Sequence, residues 1–244
     1  MRKSSAAGAF EPVTYHKLSV VVPVFNERNT VGEIIRRMRA VELPGGLDLE
    51  IIVVDDGSTD GTADVLAQLR DSTVRVVAQR ENEGKGTAVR AGFERATGDL
   101  VLVQDADLEY DPEDWPRLLH PIMRGRALVV YGSRFTGERR NMLFLHWVGN
   151  RFLSLVTNVL YNTTLSDMET CYKLMDRRVL DRLTLRSQRF EIEPEITAKI
   201  LKMGVRIYEV PISYAGREFH EGKKITWRDG FRALWTLAKY RFTN

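Results

Sequence analysis

The sequence is poor in cysteine and histidine. Of its 244 residues, one is a cysteine, Cys171, and four are histidines. A single cysteine cannot form an internal disulfide, and it excludes a metal site built from cysteines alone. The histidines are dispersed without the short spacing of metal ligands, and we assign none of them a catalytic role: His16, His120, His146 and His220. The low cysteine content suits a reducing cytosol.

The sequence also lacks a long apolar run, and its net charge is small. Nowhere do 18 uncharged apolar residues follow one another, so no transmembrane helix is predicted. The first ten residues are basic and then rich in small side chains, with no apolar core before Pro12, which excludes a signal peptide. We expect residues 1–15 to form a disordered leader. A net charge of +3 is too small to indicate a nucleic-acid partner.

What the sequence does contain is a regular alternation of strand and helix patterns. Short β-branched runs, typical of strands buried on both faces, predict strands at residues 18–25, 49–54, 74–78, 100–104 and 128–131. Helical spacing predicts helices at residues 30–40, 62–69, 86–96 and 115–123. Such alternation is typical of βαβ units. We therefore predict one α/β domain over residues 16–225, built on a right-handed, doubly wound sheet.

The loops that follow four of these strands are mostly acidic. They are Asn26-Glu27, Asp55-Asp56-Gly57, residues 83–86 and Asp105-Ala106-Asp107. Ligands of such sheets bind beyond the carboxyl ends of the strands, so we expect these loops to share one rim. An anion site would be basic and glycine-rich. An acidic rim favours a cation, or the hydroxyl groups of a sugar and a base.

Asp105 and Asp107 are the main candidates for a metal site. Two carboxylates two residues apart at a strand end can both turn toward one hard cation, and Glu109 could add a third oxygen. A divalent cation there would neutralise charge on a departing diphosphate. The alternative is an ordinary loop, because aspartate is common in turns. The position at the end of the fourth strand, opposite other acidic strand ends, favours the metal.

Two other loops carry weaker signals. Asp56 closes a buried strand and could accept hydrogen bonds from ribose hydroxyls or a base N–H, although the Ser, Asp and Gly after it also suit a turn and a helix cap. The segment ENEGKGT does not fit a P-loop, because Gly86 follows Lys85 where Ser or Thr is needed. Val89 occupies the third glycine position of the dinucleotide fingerprint. Both departures count against ATPases and NAD enzymes, but Lys85 could still reach a phosphate from the start of the helix.

Six motifs together carry a family resemblance. In chain order they are VVVPVFNE, VVDDGSTDGT, NEGKGTAVRAG, DADLEYDPED, YGSRF and CYKLM. Over residues 18–225 they resemble the family 2 glycosyltransferases, and within these the dolichyl- and polyprenyl-phosphate mannose and glucose synthases. The resemblance implies a GT-A type fold: a Rossmann-like, mostly parallel central sheet with helices on both faces. It also implies a nucleotide-diphosphate sugar as donor and Mg²⁺ or Mn²⁺ as cofactor.

The resemblance also assigns donor-site roles to single residues. The nucleoside contacts would be Pro23, Phe25, Glu27, Val54 and Asp56. The metal and diphosphate site would be Asp105, Ala106, Asp107 and Glu109. Two of these depart from many relatives: Phe25 stands where they have Tyr, and Glu109 stands where some have Gln.

Three basic residues resemble the family's phosphate contacts. Arg134 resembles the arginine that meets a phosphate at the end of the fifth strand. Arg217, which follows Tyr214, and then Lys223 resemble the basic pair that closes over the donor and acceptor phosphates. With Asp107, the residues Arg134 and Arg217 are therefore the predicted catalytic residues.

The predicted reaction is an inverting transfer of mannose or glucose, from GDP-mannose or UDP-glucose, to a polyprenyl phosphate. A phosphate monoester is already ionised and needs no general base, whereas an alcohol does. The cations that could hold the acceptor phosphate are Arg134, Arg139, Arg140, Arg151 and Arg217. One alternative is transfer to a saccharide or small-molecule hydroxyl, with Asp167 or Glu169 as base. Another is a non-catalytic nucleotide-sugar-binding domain.

Two segments have the composition of an interface. Residues 142–161 are rich in aromatic and aliphatic side chains. Residues 226–244 predict an amphipathic helix with an apolar stripe and a basic polar face, typical of helices that lie on membranes. The stripe is Trp227, Phe231, Leu234, Trp235, Ala238 and Phe242, and the basic residues are Arg228, Arg232, Lys239 and Arg241. We expect a peripheral protein on the cytoplasmic face of a membrane, held directly or by a membrane-anchoring partner protein. The alternative is that both segments pack on the core.

Overall fold

The structure is a computed structural model, and it describes residues 13–69, 71–216 and 227–243. The strands in this part of the chain are β1 (Lys17–Val24), β2 (Asp48–Asp55), β3 (Val74–Ala78), β4 (Leu100–Val103), β5 (Val129–Ser133), β6 (Lys173–Asp176) and β7 (Ile207–Pro211). The helices are α1 (Val31–Ala40), α2 (Thr62–Gln68), α3 (Lys85–Arg95), α4 (Trp115–Met123), α5 (Phe144–Tyr161), α6 (Arg177–Leu180), α7 (Ile192–Lys202) and α8 (Trp227–Phe242). Each of the nine elements predicted between residues 18 and 131 is present, and β3 and α4 have the predicted bounds.

The strands form one sheet in the order β3-β2-β1-β4-β6-β5-β7. All neighbours are parallel except β6, which runs antiparallel to both β4 and β5. The expectation of a mostly parallel α/β sheet is confirmed, but the sequence pattern did not predict the position of β6 between β4 and β5. Because β6 is reversed, the loop that leads into it lies at the carboxyl ends of β4 and β5.

The centre of the sheet is buried on both faces. The inner strands β1, β2 and β4 carry the core of fully buried Val, Ile and Leu side chains. Helix α3 crosses this surface at Gly92, where an added Cβ would lie 2.2 Å from Cγ1 of Val21. Only glycine allows so close an approach of helix to strand, and this contact fixes the helix whose first residue is Lys85.

The two ends of the domain differ from the predicted boundaries. The Tyr15 hydroxyl donates a hydrogen bond to Asp176 Oδ2 at 2.8 Å, so the folded chain begins before residue 16. Residues 1–12 of the predicted leader lie outside the described residues. Helix α8 is part of the domain, because its buried Leu237 and Tyr240 pack toward α5 and α7. The Tyr161 hydroxyl donates to the Leu237 carbonyl at 2.7 Å.

The predicted apolar stripe of α8 is divided between two surfaces. Phe231, Trp235 and Phe242 are exposed, whereas Leu234 and Ala238 are half-buried. Helix α5 also exposes apolar side chains, spaced three and four residues apart: Leu145, Val148, Phe152, Leu155 and Val159. None of the helices described here is long and apolar enough to cross a membrane.

Candidate functional site

The loops after β1 and β2 are tied together at the rim of the sheet. Asn26 adopts a left-handed backbone conformation with φ of 54°, its N–H donates to Ser58 Oγ at 2.9 Å, and its side-chain Oδ1 accepts from Thr59 N at 2.8 Å. Asparagine tolerates this conformation better than most residues. Glu27 is nearly buried, and its Oε2 accepts from the Thr30 hydroxyl at 2.7 Å. The first two predicted donor loops therefore form one connected wall.

Asp56 holds the neighbouring loop in place. Its Oδ1 accepts from Glu83 N at 2.9 Å and its Oδ2 from Gly84 N at 2.8 Å. Gly84 has φ of 101°, and an added Cβ would lie 2.5 Å from the Gln188 carbonyl oxygen. Burial raises the pKa of Asp56, although these two backbone bonds oppose the shift. In this structure Asp56 thus positions the loop that enters α3. Its contact with a ribose stays a prediction.

The other predicted nucleoside contacts differ in access. Pro23 pairs with Val54 across β1 and β2, and Pro23 and Phe25 are half-buried at the end of β1. The Val54 side chain is completely enclosed in the core. Both faces of β2 are covered here, so a nucleoside contact through the Val54 side chain stays a prediction that this structure does not support.

Lys85 lies in a buried charge network. Its Nζ lies 2.8 Å from Asp105 Oδ1 and 3.0 Å from Glu193 Oε1, and the other oxygen of Glu193 lies 2.7 Å from Lys173 Nζ. Burial alone would lower the pKa of Lys85, but the adjoining carboxylates raise it well above its ordinary value. In this structure the ammonium group is engaged by two carboxylates, and its contact with a phosphate stays a prediction.

Glu193 and Lys173 were missed as site residues in the sequence. Both are buried, Lys173 completely. The Lys173 ammonium also donates to the carbonyls of Met168 and Thr170 and lies 4.8 Å from the centre of the Tyr131 ring. The lysine that interrupts the apolar run CYKLM is a signal that could have pointed to Lys173. Glu193 carries no comparable signal, because α7 also contains Glu195, Lys199 and Lys202.

The predicted metal residues do not converge on one point. Ala106 is buried, Asp105 faces Lys85, Asp107 Oδ1 accepts from Glu109 N at 3.1 Å, and Glu109 Oε2 accepts from the Tyr214 hydroxyl at 2.6 Å. Leu108, between the last two acids, has a φ of 63°, which is strained for a bulky residue. Among the described residues, no three His, Cys, Asp or Glu side chains are grouped to hold a metal. A site made only of protein ligands is therefore absent from this part of the chain.

Arg134 forms a buried ion pair with Asp167 at the end of β5. Its Nε and Nη2 each lie 2.7 Å from one carboxylate oxygen of Asp167, and its backbone N–H donates to Oδ2 at 3.0 Å. The guanidinium group lies 5.3 Å from the Tyr214 ring centre. Because both Asp167 oxygens are taken, this carboxylate is poorly placed to act as a general base.

Three arginines gather around one aromatic ring. The guanidinium carbons of Arg134, Arg139 and Arg151 lie 5.9, 5.7 and 5.7 Å from the centre of the Phe135 ring. Arg139 and Arg151 are exposed, and within the described chain neither forms an ion pair. We call these three residues the arginine cluster. It stands at the carboxyl end of β5, next to the exposed face of α5.

The loop that enters β6 carries a perturbed acid and a buried thiol. Burial raises the pKa of Glu169 to about 7 and that of Cys171 well above its ordinary value. Cys171 is thus a buried thiol, and the raised pKa disfavours the reactive thiolate. Two predicted phosphate contacts, Arg217 and Lys223, lie outside the described residues.

Comparison with known proteins places this geometry in a family. The model of glycosyl transferase family 2 matches residues 19–184. An undecaprenyl-phosphate 4-deoxy-4-formamido-L-arabinose transferase from Enterobacter sp. (strain 638) is 32% identical over 214 residues, which cover 85% of this chain and 62% of the relative. The chain thus spans less than two thirds of that relative's length.

Solved structures support the same fold. Glucosyl-3-phosphoglycerate synthase from Mycobacterium tuberculosis, in complex with Mn²⁺, UDP and phosphoglyceric acid, matches with a TM-score of 0.73 and 20% identity, covering 94% of this chain and 80% of that one. The same enzyme with Mg²⁺ and UDP matches with a TM-score of 0.71 and 21% identity, with the same coverage. The fold is of the predicted GT-A type. By its sequence and its fold, the chain belongs to glycosyl transferase family 2.

Proposed function

We propose that this protein is an inverting glycosyltransferase that moves a sugar from a nucleotide-diphosphate sugar to a polyprenyl phosphate at a membrane surface. The arginine cluster is the observation that supports a polyprenyl phosphate as the acceptor. It sets three guanidinium groups around Phe135 beside an exposed apolar helix face. A phosphate headgroup on an apolar chain has the chemistry that matches such a pair of surfaces. The Enterobacter relative, named for transfer to undecaprenyl phosphate, supports this acceptor class.

The donor nucleotide would lie over the loops after β1 and β2. Pro23 and Phe25 offer half-buried apolar surface for a base, and Glu27 and Asp56 offer carboxylate oxygens for hydroxyl or N–H groups. An ionised carboxylate has about four lone-pair sites, so Asp56 can still accept from a ribose while it holds Glu83 and Gly84. The M. tuberculosis synthase was crystallised with UDP, which supports a nucleotide as a ligand of this fold.

A divalent cation fits the loop after β4 only with help from the substrate. Mg²⁺ is commonly bound through one or two carboxylates together with substrate phosphates. Asp107 and Glu109 are partly exposed at the strand end, and Asp105 forms an ion pair with Lys85. These residues suit such a shared site, with Mg²⁺ or Mn²⁺ as the ion. When bound, the ion would supply Lewis-acid stabilisation of the departing diphosphate.

The acceptor phosphate explains why no free general base is needed. In the proposed reaction an acceptor phosphate oxygen bonds to the anomeric carbon of the sugar as the bond to the nucleoside diphosphate breaks. Arg139 and Arg151, together with the Nη1 group of Arg134, would hold the acceptor phosphate for this attack. A single displacement of this kind inverts the anomeric centre, in agreement with the family resemblance.

The proposed sugar is mannose or glucose, carried by GDP or UDP. The M. tuberculosis synthase was crystallised with UDP-glucose, whereas the Enterobacter relative is named for a modified L-arabinose. The relatives therefore differ in the sugar that they take, and a test has to offer several donors.

The exposed faces of α5 and α8 are the proposed membrane contact. On α8 the exposed Phe231 and Trp235 lie among basic residues that include Arg228 and Arg232, while the opposite face packs into the domain. Apolar side chains flanked by cations favour an anionic membrane surface. A membrane-anchoring partner protein remains the predicted alternative for this contact.

Transfer to extractable lipid tests the proposal. The protein would be incubated with labelled GDP-mannose, UDP-glucose or UDP-N-acetylglucosamine, Mn²⁺ and a polyprenyl phosphate in detergent. We expect label in the organic phase with one of these donors and release of the matching nucleoside diphosphate. Label that appears only in water-soluble products, with or without the lipid, would overturn the lipid-phosphate acceptor.

A further inference from the structure

The loop that leads into β6 occupies a distinctive place on the rim. β6 pairs with β4 so that Leu174 is opposite Leu102, which sets the residues before β6 alongside those after β4. The Cys171 N–H donates to the Tyr110 hydroxyl at 3.1 Å, and the Cys171 thiol donates to the carbonyl of Val103, the last residue of β4, at 3.7 Å. One side of this loop therefore borders the acidic loop in which the donor diphosphate is proposed to sit.

The other side of the same loop borders the arginine cluster. The Tyr172 carbonyl accepts from Gly132 N at 2.9 Å, and Asp167 carries the two-point ion pair with Arg134. The order β4-β6-β5 thus puts the loop between the proposed donor diphosphate and the proposed acceptor phosphate. A sugar that passes from one to the other has to lie against it.

Two polar groups in this loop have no partner among the described residues. Glu169 Oε1 and Thr170 Oγ1 are enclosed, and neither has a hydrogen-bond partner within the described ranges of the chain. The great majority of buried polar side-chain atoms in native proteins are hydrogen-bonded. A carboxyl oxygen and a hydroxyl on consecutive residues, both enclosed and both unsatisfied, indicate a partner that arrives with a ligand.

The charges around Glu169 are already matched without it. The charged groups that face it are Lys173, Glu193, Arg134 and Asp167. Arg134 pairs with Asp167 and Lys173 pairs with Glu193, so Glu169 is a carboxyl group in excess. Burial raises the pKa of this group to about 7. Near neutral pH it can therefore donate a hydrogen bond as the acid or accept one as the carboxylate, which suits a neutral hydroxyl better than a second phosphate.

We propose that Glu169, with Thr170 beside it, hydrogen-bonds a hydroxyl group of the donor's sugar and helps to select which sugar is transferred. The inference rests on the proposed function for the place of the donor diphosphate. The ligand class is the sugar ring of a nucleotide-diphosphate sugar. Glu169 is a binding residue in this assignment, and the lipid acceptor plays no part in it.

The test compares the affinity for a whole donor with the affinity for its nucleoside diphosphate. Wild type, Glu169→Ala, Glu169→Gln and Thr170→Val would be titrated with UDP-glucose, GDP-mannose, UDP and GDP in the presence of Mn²⁺. For the donor that wild type prefers, we expect Glu169→Ala to weaken binding about tenfold, the effect of losing one hydrogen bond to a charged group. The affinity for UDP or GDP should change less than about twofold. Glu94→Ala, at an exposed acid on α3, is the matched control.

The variants also separate binding from folding. Thr170→Val replaces an unpartnered hydroxyl by a group of the same shape, so it should leave the free protein as stable as wild type and still weaken donor binding. Should Glu169→Ala fail to fold, Glu169→Gln keeps the shape of the protonated acid, and we expect it to change the preference between the two donors. Equal losses for donor and nucleoside diphosphate, or no loss for either, would overturn the inference. A wild type that binds donors but does not glycosylate lipid would overturn the proposed acceptor alone.

Discussion

Lys85 Nζ lies 2.8 Å from Asp105 Oδ1, and this contact distinguishes Asp105 from Asp107, the other aspartate of the acidic loop. Although burial acts in the opposite direction, the neighbouring ammonium group of Lys85 lowers the pKa of Asp105. Asp105 is thereby paired with the half-buried Lys85 at the start of α3. Asp107, two residues on, is the partly exposed carboxylate at the same strand end.

Asp107→Asn should abolish sugar transfer and leave the fold intact. The change removes one negative charge from the proposed metal site at a partly exposed position. Turnover at saturating Mn²⁺ and the circular dichroism spectrum would be measured side by side, with Glu94→Gln as the control. EDTA should silence the wild type, and added Mg²⁺ or Mn²⁺ should restore it. A variant that keeps more than about a tenth of wild-type turnover would show that Asp107 does not hold the ion.

Lys85→Met should lower stability by about 1 to 3 kcal/mol, because it leaves the half-buried Asp105 without its cation while Glu193 keeps Lys173. Urea unfolding monitored by fluorescence measures the loss. Arg36→Met is the control, since Arg36 forms an exposed ion pair with Glu33 that should contribute less than about 1 kcal/mol. Equal effects of the two changes would mean that the buried network contributes nothing special.

Arg139→Gln and Arg151→Gln should each raise the KM for polyprenyl phosphate about tenfold and leave the KM for the donor unchanged. Each change removes a charge-assisted hydrogen bond to the acceptor phosphate. Arg134 is unsuitable for this test, because its loss would leave Asp167 buried without its partner. Steady-state kinetics with one substrate varied at a time would decide it. A rise in the donor KM alone would move the arginine cluster to the diphosphate.

Phe231→Ser combined with Trp235→Ser should weaken binding to anionic vesicles without unfolding the protein, because both side chains are exposed on α8. Co-sedimentation with phosphatidylglycerol vesicles measures this. About 0.5 M salt should reproduce part of the loss by screening the basic residues. By contrast, Leu237→Ala removes a fully buried side chain and should chiefly lower stability. Unchanged sedimentation of the double variant would leave α5 or a partner protein as the membrane contact.

Glu169 should make the protein less stable as pH rises from about 4.5 to about 7. Burial raises its folded-state pKa to about 7, so between these values the unfolded chain releases a proton that the folded chain keeps. The contribution of Glu169 to stability is fully present below the pKa of the unfolded chain. It is lost as the pH rises through the pKa of the folded protein. We therefore compare the free energies of unfolding of Glu169→Gln and wild type at two pH values. The difference should favour the variant more at pH 8 than at pH 4, by an amount of the order of 3 kcal/mol. Parallel curves for the two proteins would show that the acid is not perturbed.

The sequence was sufficient where local patterns act alone. The β-branched runs and helical spacing predicted the first nine elements, and β3 and α4 have the predicted bounds, since alternating βαβ units follow from periodicity. It was insufficient where distant segments meet. β6 is four residues long and contains a lysine, and the counter-charge of that lysine, Glu193, comes from a helix that we did not predict. No local pattern could show that Lys85 would face Asp105 rather than a phosphate.

Helix α8 is a second case in which the sequence pattern was insufficient. Its presence and its amphipathic composition were predicted, but which apolar residues face outward depends on the positions of α5 and α7. Leu237 and Tyr240 are buried, whereas Phe231 and Trp235 are exposed. The amphipathic pattern of the isolated sequence could not separate the two surfaces.

The most direct test of the account compares two acceptors that differ only in the phosphate. Transfer of labelled sugar would be measured to a polyprenyl phosphate and to the polyprenol of the same chain length, with the donor that wild type prefers and Mn²⁺. We expect rapid transfer to the phosphate and none to the alcohol, because only the phosphate needs no base. Of the two candidate bases, Asp167 is engaged by Arg134, and Glu169 is proposed to bind the sugar of the donor. Equal transfer to both lipids, or transfer to the alcohol alone, would contradict this expectation.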